Sequence, residues 1–210
     1  QVRMVRRHAE DAAAALSRKL GQPLWLVHAQ EQEVELMSPA SRERTQGMLE
    51  ERMTSTAVRL QQLCGQMPKV AVKQGPAETV VPEFAQSHEG QLIVVASVGH
   101  GMAALAKLGG TSERLANGAE VPLLVVREGE SFKDWALGKP FRALVGLEQG
   151  EASASALRWI SKLRAAAPCD VVLGRVYYAG DAHQHYGVAN ERISYTDPDP
   201  RGESLIERDL

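Results

Sequence analysis

Short apolar runs alternate along this chain with stretches whose apolar residues recur every three or four positions, and that alternation restricts the fold more than any other feature. Val2, Val5, Ala9, Ala12, Leu16 and Leu20 share one helical face, Gly21 is a natural stop, and Pro23 follows it. Leu24–Ala29 then reads as a short buried strand. Ser38-Pro39 offers an N-cap and a proline at the first helical position, opening a helix striped by Leu49, Met53, Ala57, Leu60 and Cys64 up to Gly65. Val70–Lys73 is a strand, and Gly75-Pro76 turns the chain into a helix carrying Val80, Val81, Phe84 and Ala85. Leu92–Ala96 is apolar on both faces, as a central strand of a parallel sheet must be. A glycine-rich stretch, a short helix around Ser112–Asn117 and the strand Val121–Arg127 complete the series. Strands alternating with helices predict an α/β fold with a doubly wound parallel sheet.

Composition narrows the partners. The 24 Lys and Arg nearly cancel the 26 Asp and Glu, leaving a formal charge of −2 and no general attraction to nucleic acid or anionic lipid. Apolar runs such as Leu92–Ala96 fall far short of the ~20 residues that cross a bilayer. Arg3, Arg6 and Arg7 imitate the start of a secretory leader, but Glu10 and Asp11 break the apolar stretch that a leader needs, so the cluster reads as a solvated helix face. Cys64 and Cys169 lie far apart without metal-ligand spacing, and read as idle thiols. A soluble, cytoplasmic protein without disulfides is expected.

After the polar segment Glu128–Pro140 the pattern restarts. Arg142–Leu147 is a strand, Glu151–Ala166 a helix with Ala152, Ala156, Trp159, Ile160 and Leu163 inward, and Val171–Tyr177 a further strand. The passage Lys19-Leu20 … Pro23 … strand recurs as Lys162-Leu163 … Pro168 … strand, a weak repeat supported by the order of elements. In the second copy a strand precedes the helix, whereas the first copy opens inside its helix. The expectation is a tandem repeat incomplete at both ends: residues 1–130 as one domain lacking its first strand, 131–140 as a linker, and 141–210 as the start of a truncated second copy.

The chemistry concentrates in Leu92–Arg127, where an apolar strand is followed by Gly99, Gly101, Gly109 and Gly110, then a helix start. Glycines at such a junction let backbone N–H groups approach an anion, and the helix N-terminus adds favourable partial charge. No Gly-Lys-Ser/Thr of a Walker A loop is present there. Here the sequence resembles the universal stress protein family, whose motif is G-x2-G-x9-G-(S/T). Ala96-Ser97-Val98-Gly99 aligns with G-x2-G, Gly109-Gly110 with the closing pair, and Val121-Pro-Leu-Leu-Val-Val with the last strand. Leu24–His28, Gly75-Pro76 and Val145–Glu148 also match family patterns. The resemblance implies a Rossmann-like fold, binding of ATP (with Mg) or AMP in some members and none in others, and dimeric or tandem assembly. It also implies ligand-contacting positions: Gly99, His100, Gly101, Gly109, Gly110 and Thr111 toward phosphates, Val27 and Ala29 beside adenine, and Glu148 toward a ribose in the second copy.

Two positions depart from the motif. Ala96 replaces its first glycine, and Gly110 stands where a Ser or Thr hydroxyl would meet phosphate. The loop is therefore a degenerate nucleotide cradle, and a stress-response regulatory module that binds adenine nucleotide is the first reading. The alternative is a nucleotide-free interaction module of the same fold, pairing through Val121–Arg127 as a homodimer or an internal pseudo-dimer. An adenylyl-transferring enzyme comes third, since Val145–Gln149 lacks an SGGxDS-type loop and no catalytic constellation is specified. Other features have plain readings: His100 as a solvated loop residue, Asp181, His183 and His185 as an exposed polar loop, and Trp25, Trp159, Met48 and Met53 as core.

Overall fold

The computed structural model describes residues 2–30, 38–97, 110–148 and 150–175, with the single residues Ser204 and Arg208. They form an α/β arrangement of α1 (Val2–Leu20), β1 (Trp25–Gln30), α2 (Pro39–Cys64), β2 (Lys69–Gln74), α3 (Ala77–Ser87), β3 (Ile93–Ala96), α4 (Gly110–Gly118), β4 (Leu123–Val126), α5 (Glu130–Ala136), β5 (Phe141–Gly146), α6 (Glu151–Ala166) and β6 (Cys169–Gly174). Two compact units result, one of Gln1–Phe141 with Lys162–Cys169, the other of Arg142–Ser161 with Asp170–Leu210.

The element boundaries follow local chemistry. Ser38 caps α2 with its hydroxyl accepting from the Ser41 N–H, Pro39 occupies the first turn, and Gly65 ends the helix in the left-handed region at φ 83°. The strands are parallel, and among the described residues they pair as β1–β2, β3–β4 and β5–β6. In the third ribbon Phe141 N donates to Pro168 O and Leu147 N to Gly174 O, the same step along both strands, so this pair is parallel too.

In the first unit α1 ties two ribbons together. Its Ala9, Ala12, Ala15 and Leu16 join Val126, Phe132 and Trp135 in one apolar cluster, with Val94, Ala96 and Leu124 packed against it. Its Ala14 joins Leu60 and Cys64 in a second cluster that Leu24 and Leu26 border. Ala12 and Ala14 are both fully buried although they do not share one helical stripe, because small side chains let elements approach α1 from more than one direction. Arg59 of α2 bonds both Glu10 and Asp11 of α1, and Lys133 of α5 stands 3.7 Å from the same Asp11. Phe84 of α3 and His88, which caps its C-terminus, stack on each other and meet Trp25 of β1 edge-on.

Two expectations are corrected. Residues 131–140, expected to be a linker, largely belong to α5 and its end, and Phe132 and Trp135 are core side chains; a helix of seven residues with two inward aromatics carries too little periodicity to stand out. Met48, expected in the core, is 66 % exposed because the buried face of α2 begins only at Met53. Trp25 and Trp159 are half-buried.

Candidate functional site

In a sheet of parallel strands, ligands collect outside the carboxyl ends, where loops and helix N-termini converge. Four contacts gather that end of the first unit. Gly75 closes β2 at φ +125°, its N–H donating to Gln30 O at 2.9 Å; a Cβ there would lie 2.9 Å from Val80 Cγ1, so both conformation and space require glycine. Gln74 Nε2 donates to Gln30 Oε1 at 3.1 Å across the strand ends. Glu78 in the first turn of α3 pairs with Arg114 Nε in the first turns of α4 at 2.7 Å. Its carboxyl is held below the usual range by backbone hydrogen bonding at the helix start, with Arg114 adding to the effect.

The fourth contact is the most consequential. Ser112 Oγ, on a residue only 5 % exposed, donates to the carbonyl of Ala96 at 2.7 Å. That bond seats the start of α4 directly against the carboxyl end of β3. A helix N-terminus carries amides without intrahelical partners and positive partial charge, both favourable to an anion.

His28 of β1, Arg6 of α1 and Arg52 of α2 lie close enough to act on one another electrostatically. Burial pushes the His28 imidazole down, and the charges of Arg52 and Arg6 push it further. Arg6 is itself lowered by burial and by Arg52, with Glu10 acting in the opposite sense. Arg6, read from the sequence as part of a solvated helix face, is therefore half-buried among other positive groups.

The sequence-derived site residues divide clearly. Val27 and Ala29 are the third and fifth residues of β1, Ala96 ends β3, and Gly110 and Thr111 open α4. Gly99, His100, Gly101 and Gly109 lie outside the described residues, as do Asp181, His183 and His185. Ala96 is a regular strand residue: among the described residues Glu89 alone combines a positive φ with a side chain. Alanine is thus conformationally acceptable at the first motif position. Gly110 is the first helical residue, and a Cβ there would approach only the Arg114 guanidinium, at 3.1 Å. Glu148 belongs to the second unit, where its N–H donates to Ser153 Oγ at 2.8 Å near the start of α6. Ser112, Arg52 and His28 were not singled out by sequence; a hydroxyl two residues beyond a glycine pair is the one local signal for Ser112, while the cation cluster has none. Among the described residues no group of three or more His, Cys, Asp and Glu is placed to hold a metal ion. None of the helices there is long and apolar enough to cross a membrane.

Fold and site together define an α/β protein in which the start of α4 is seated against the carboxyl end of β3. The chain belongs to the universal stress protein family, whose family model matches residues 5–127. Among solved structures it is similar to the universal stress protein UspA from Lactobacillus plantarum, at 15 % identity and a TM-score of 0.50, over 58 % of this chain and 88 % of that one. It is also similar to a universal stress protein crystallised in complex with cAMP, at 18 % identity and a TM-score of 0.47, over 57 % and 87 % respectively. Among curated proteins none matches.

Proposed function

We propose that the first unit is a regulatory module that takes up an adenine nucleotide, ATP or AMP, at the carboxyl ends of its strands. The observation that carries the reading is the Ser112–Ala96 bond, which seats the α4 N-terminus against the carboxyl end of β3. Phosphates would meet the amides of Gly110 and Thr111 together with those of Gly99, His100, Gly101 and Gly109, and Mg would accompany ATP. Adenine would lie along Val27 and Ala29. The ligand acts by occupancy, altering the surface offered to partner proteins, and no residue is assigned a catalytic role.

A second reading has its own observation. β4 is hydrogen-bonded to β3 along one edge, and among the described residues no strand pairs with the other. That edge would join two copies, or the two halves of a tandem, with no nucleotide needed. The discriminating experiment is to purify the chain, denature it, and analyse the supernatant for adenine nucleotide by chromatography and mass. Near-stoichiometric ATP or AMP supports the first reading. An empty protein that also ignores added Mg-ATP supports the second.

A further inference from the structure

Helix α2 is 26 residues long, yet its buried side chains, Met53, Ala57, Leu60 and Cys64, all lie in its second half. No residue from Pro39 to Arg52 is buried. On the side of the helix opposite Met53 and Ala57, helical spacing aligns Ala40, Arg44, Met48, Glu51 and Ser55, all of them exposed. Gly47 borders this stripe. Its φ is not positive, and a Cβ there would meet nothing within 4 Å. Neither conformation nor packing within the described chain requires glycine at this position, although glycine weakens a helix interior.

The charges on the stripe have no ion-pair partner either. Arg44 and Glu51 pair with nothing among the described residues, whereas the neighbouring Glu50 accepts from Gln46 Nε2 at 2.8 Å. About 10 Å of helix rise separates Arg44 from Glu51, too far for the two to meet within one helix. A parallel second copy would set Arg44 against Arg44. An antiparallel copy, turned about a two-fold axis between Gly47 and Met48, sets each Arg44 level with a Glu51. Arg44 and Glu51, Gly47 and Met48, and Ala40 and Ser55 are all symmetric about that one point. Met48 of one copy, an exposed apolar side chain, thereby falls over Gly47 of the other, and the small residues Ala40 and Ser55 let the helices approach.

We infer that the outer face of α2 from Ala40 to Ser55 is a self-complementary surface through which two copies of this chain pair as antiparallel helices. Two symmetry-related Arg44–Glu51 ion pairs set its direction and register, and Met48 seated over Gly47 supplies the apolar contact. One helix pair of about four turns is small for a stable interface, so the association is weak, reversible and salt-sensitive. The inference uses neither the strand ends of the nucleotide reading nor the edge of β4.

The test is sedimentation equilibrium on the full chain over a range of concentrations, with variants at exposed positions that leave the buried face of α2 untouched. Concentration-dependent association is expected, weakening as salt is added. Arg44→Glu and Glu51→Arg should each reduce the association constant about tenfold, because the two-fold axis repeats every lost pair and every new repulsion. An equimolar mixture of the two variants should recover the association of the unaltered chain, since Glu then faces Arg at both pairs. Gly47→Leu should also weaken association by blocking the seat of Met48, while hydrogen exchange at the Ala57 and Leu60 amides stays slow. A chain that is monomeric at every concentration overturns the surface, as does association that these substitutions leave unchanged. A mixture that associates no better than its two components overturns it too, since the reversed charges would then act within one chain or at another face.

Discussion

The two units contain similar segments and treat them differently. In the first, the runs of β1, β3 and β4 are half-buried or buried throughout, and α1 carries five buried alanine and leucine side chains. In the second, Leu144 of β5 and Val172 of β6 are 76 % and 63 % exposed, and Ser153 is the one buried residue of α6. An apolar run thus specifies a strand, but burial requires a neighbouring element to cover it. The first unit has covering elements in α1, α2, α3, α4 and α5; the described part of the second has less to place over its ribbon.

The sharpest way to break this comparison is to delete a large side chain from each unit and follow native-state hydrogen exchange, which reports the units separately. Trp135→Ala should destabilise the first unit by about 3–5 kcal/mol, whereas Leu144→Ala should change the second by no more than about 0.5 kcal/mol. Equal losses would mean that Leu144 is covered in solution.

Paired glycines give the next largest effect. Gly75→Ala meets both a positive φ and the Val80 side chain, and should cost about 2–3 kcal/mol. Gly150→Ala meets a similar φ of +133° with open space around it, and should cost about 1 kcal/mol. Similar costs at both would assign the whole effect to backbone conformation.

Paired serines sharpen it further. Ser112→Ala strands the Ala96 carbonyl and should cost about 1–2 kcal/mol, with weaker nucleotide uptake. Ser153→Ala frees only the Glu148 N–H, which water reaches beside an exposed side chain, and should cost about 0.5 kcal/mol. Both are read as shifts in the exchange of neighbouring amides.

The smallest effect is a pH dependence. His28 has a lowered pKa in the folded protein, so the unfolded chain takes its proton first as the solution is acidified. The contribution of His28 is complete above about pH 6.5 and is lost as pH falls toward the lowered folded value. His28→Gln should flatten the stability profile of the first unit in that window while leaving it unchanged above about pH 7.5. A profile that keeps its slope would place the titration on another group.

These contrasts explain what the sequence made legible. Every described strand overlaps a segment read from apolar runs, and Gly65 and Gly75-Pro76 mark their boundaries because backbone conformation is encoded locally. Family membership followed from the passage Leu92–Arg127 for the same reason. The α5 helix escaped notice because two aromatics do not make a period, and Met48 misled because one helical stripe need not be covered along its whole length. Which strands pair among the described residues is a matter of partner edges, and no local pattern records that. Of the candidate positions, Ala96, Gly110 and Thr111 came from the motif and Val27 and Ala29 from the strand now seen as β1. The gathering of Arg6, Arg52 and His28 joins residues from three elements, and only folding brings them together.

The central claim, a nucleotide at the carboxyl ends of the first unit, is tested most directly by titrating Mg-ATP or AMP into the isotopically labelled full chain and following backbone amide resonances. Saturable shifts are expected at Val27, Ala29, Ala96, Gly110 and Thr111, with Leu144 and Val172 unmoved. Shifts confined to the second unit, or none at millimolar nucleotide, would contradict it.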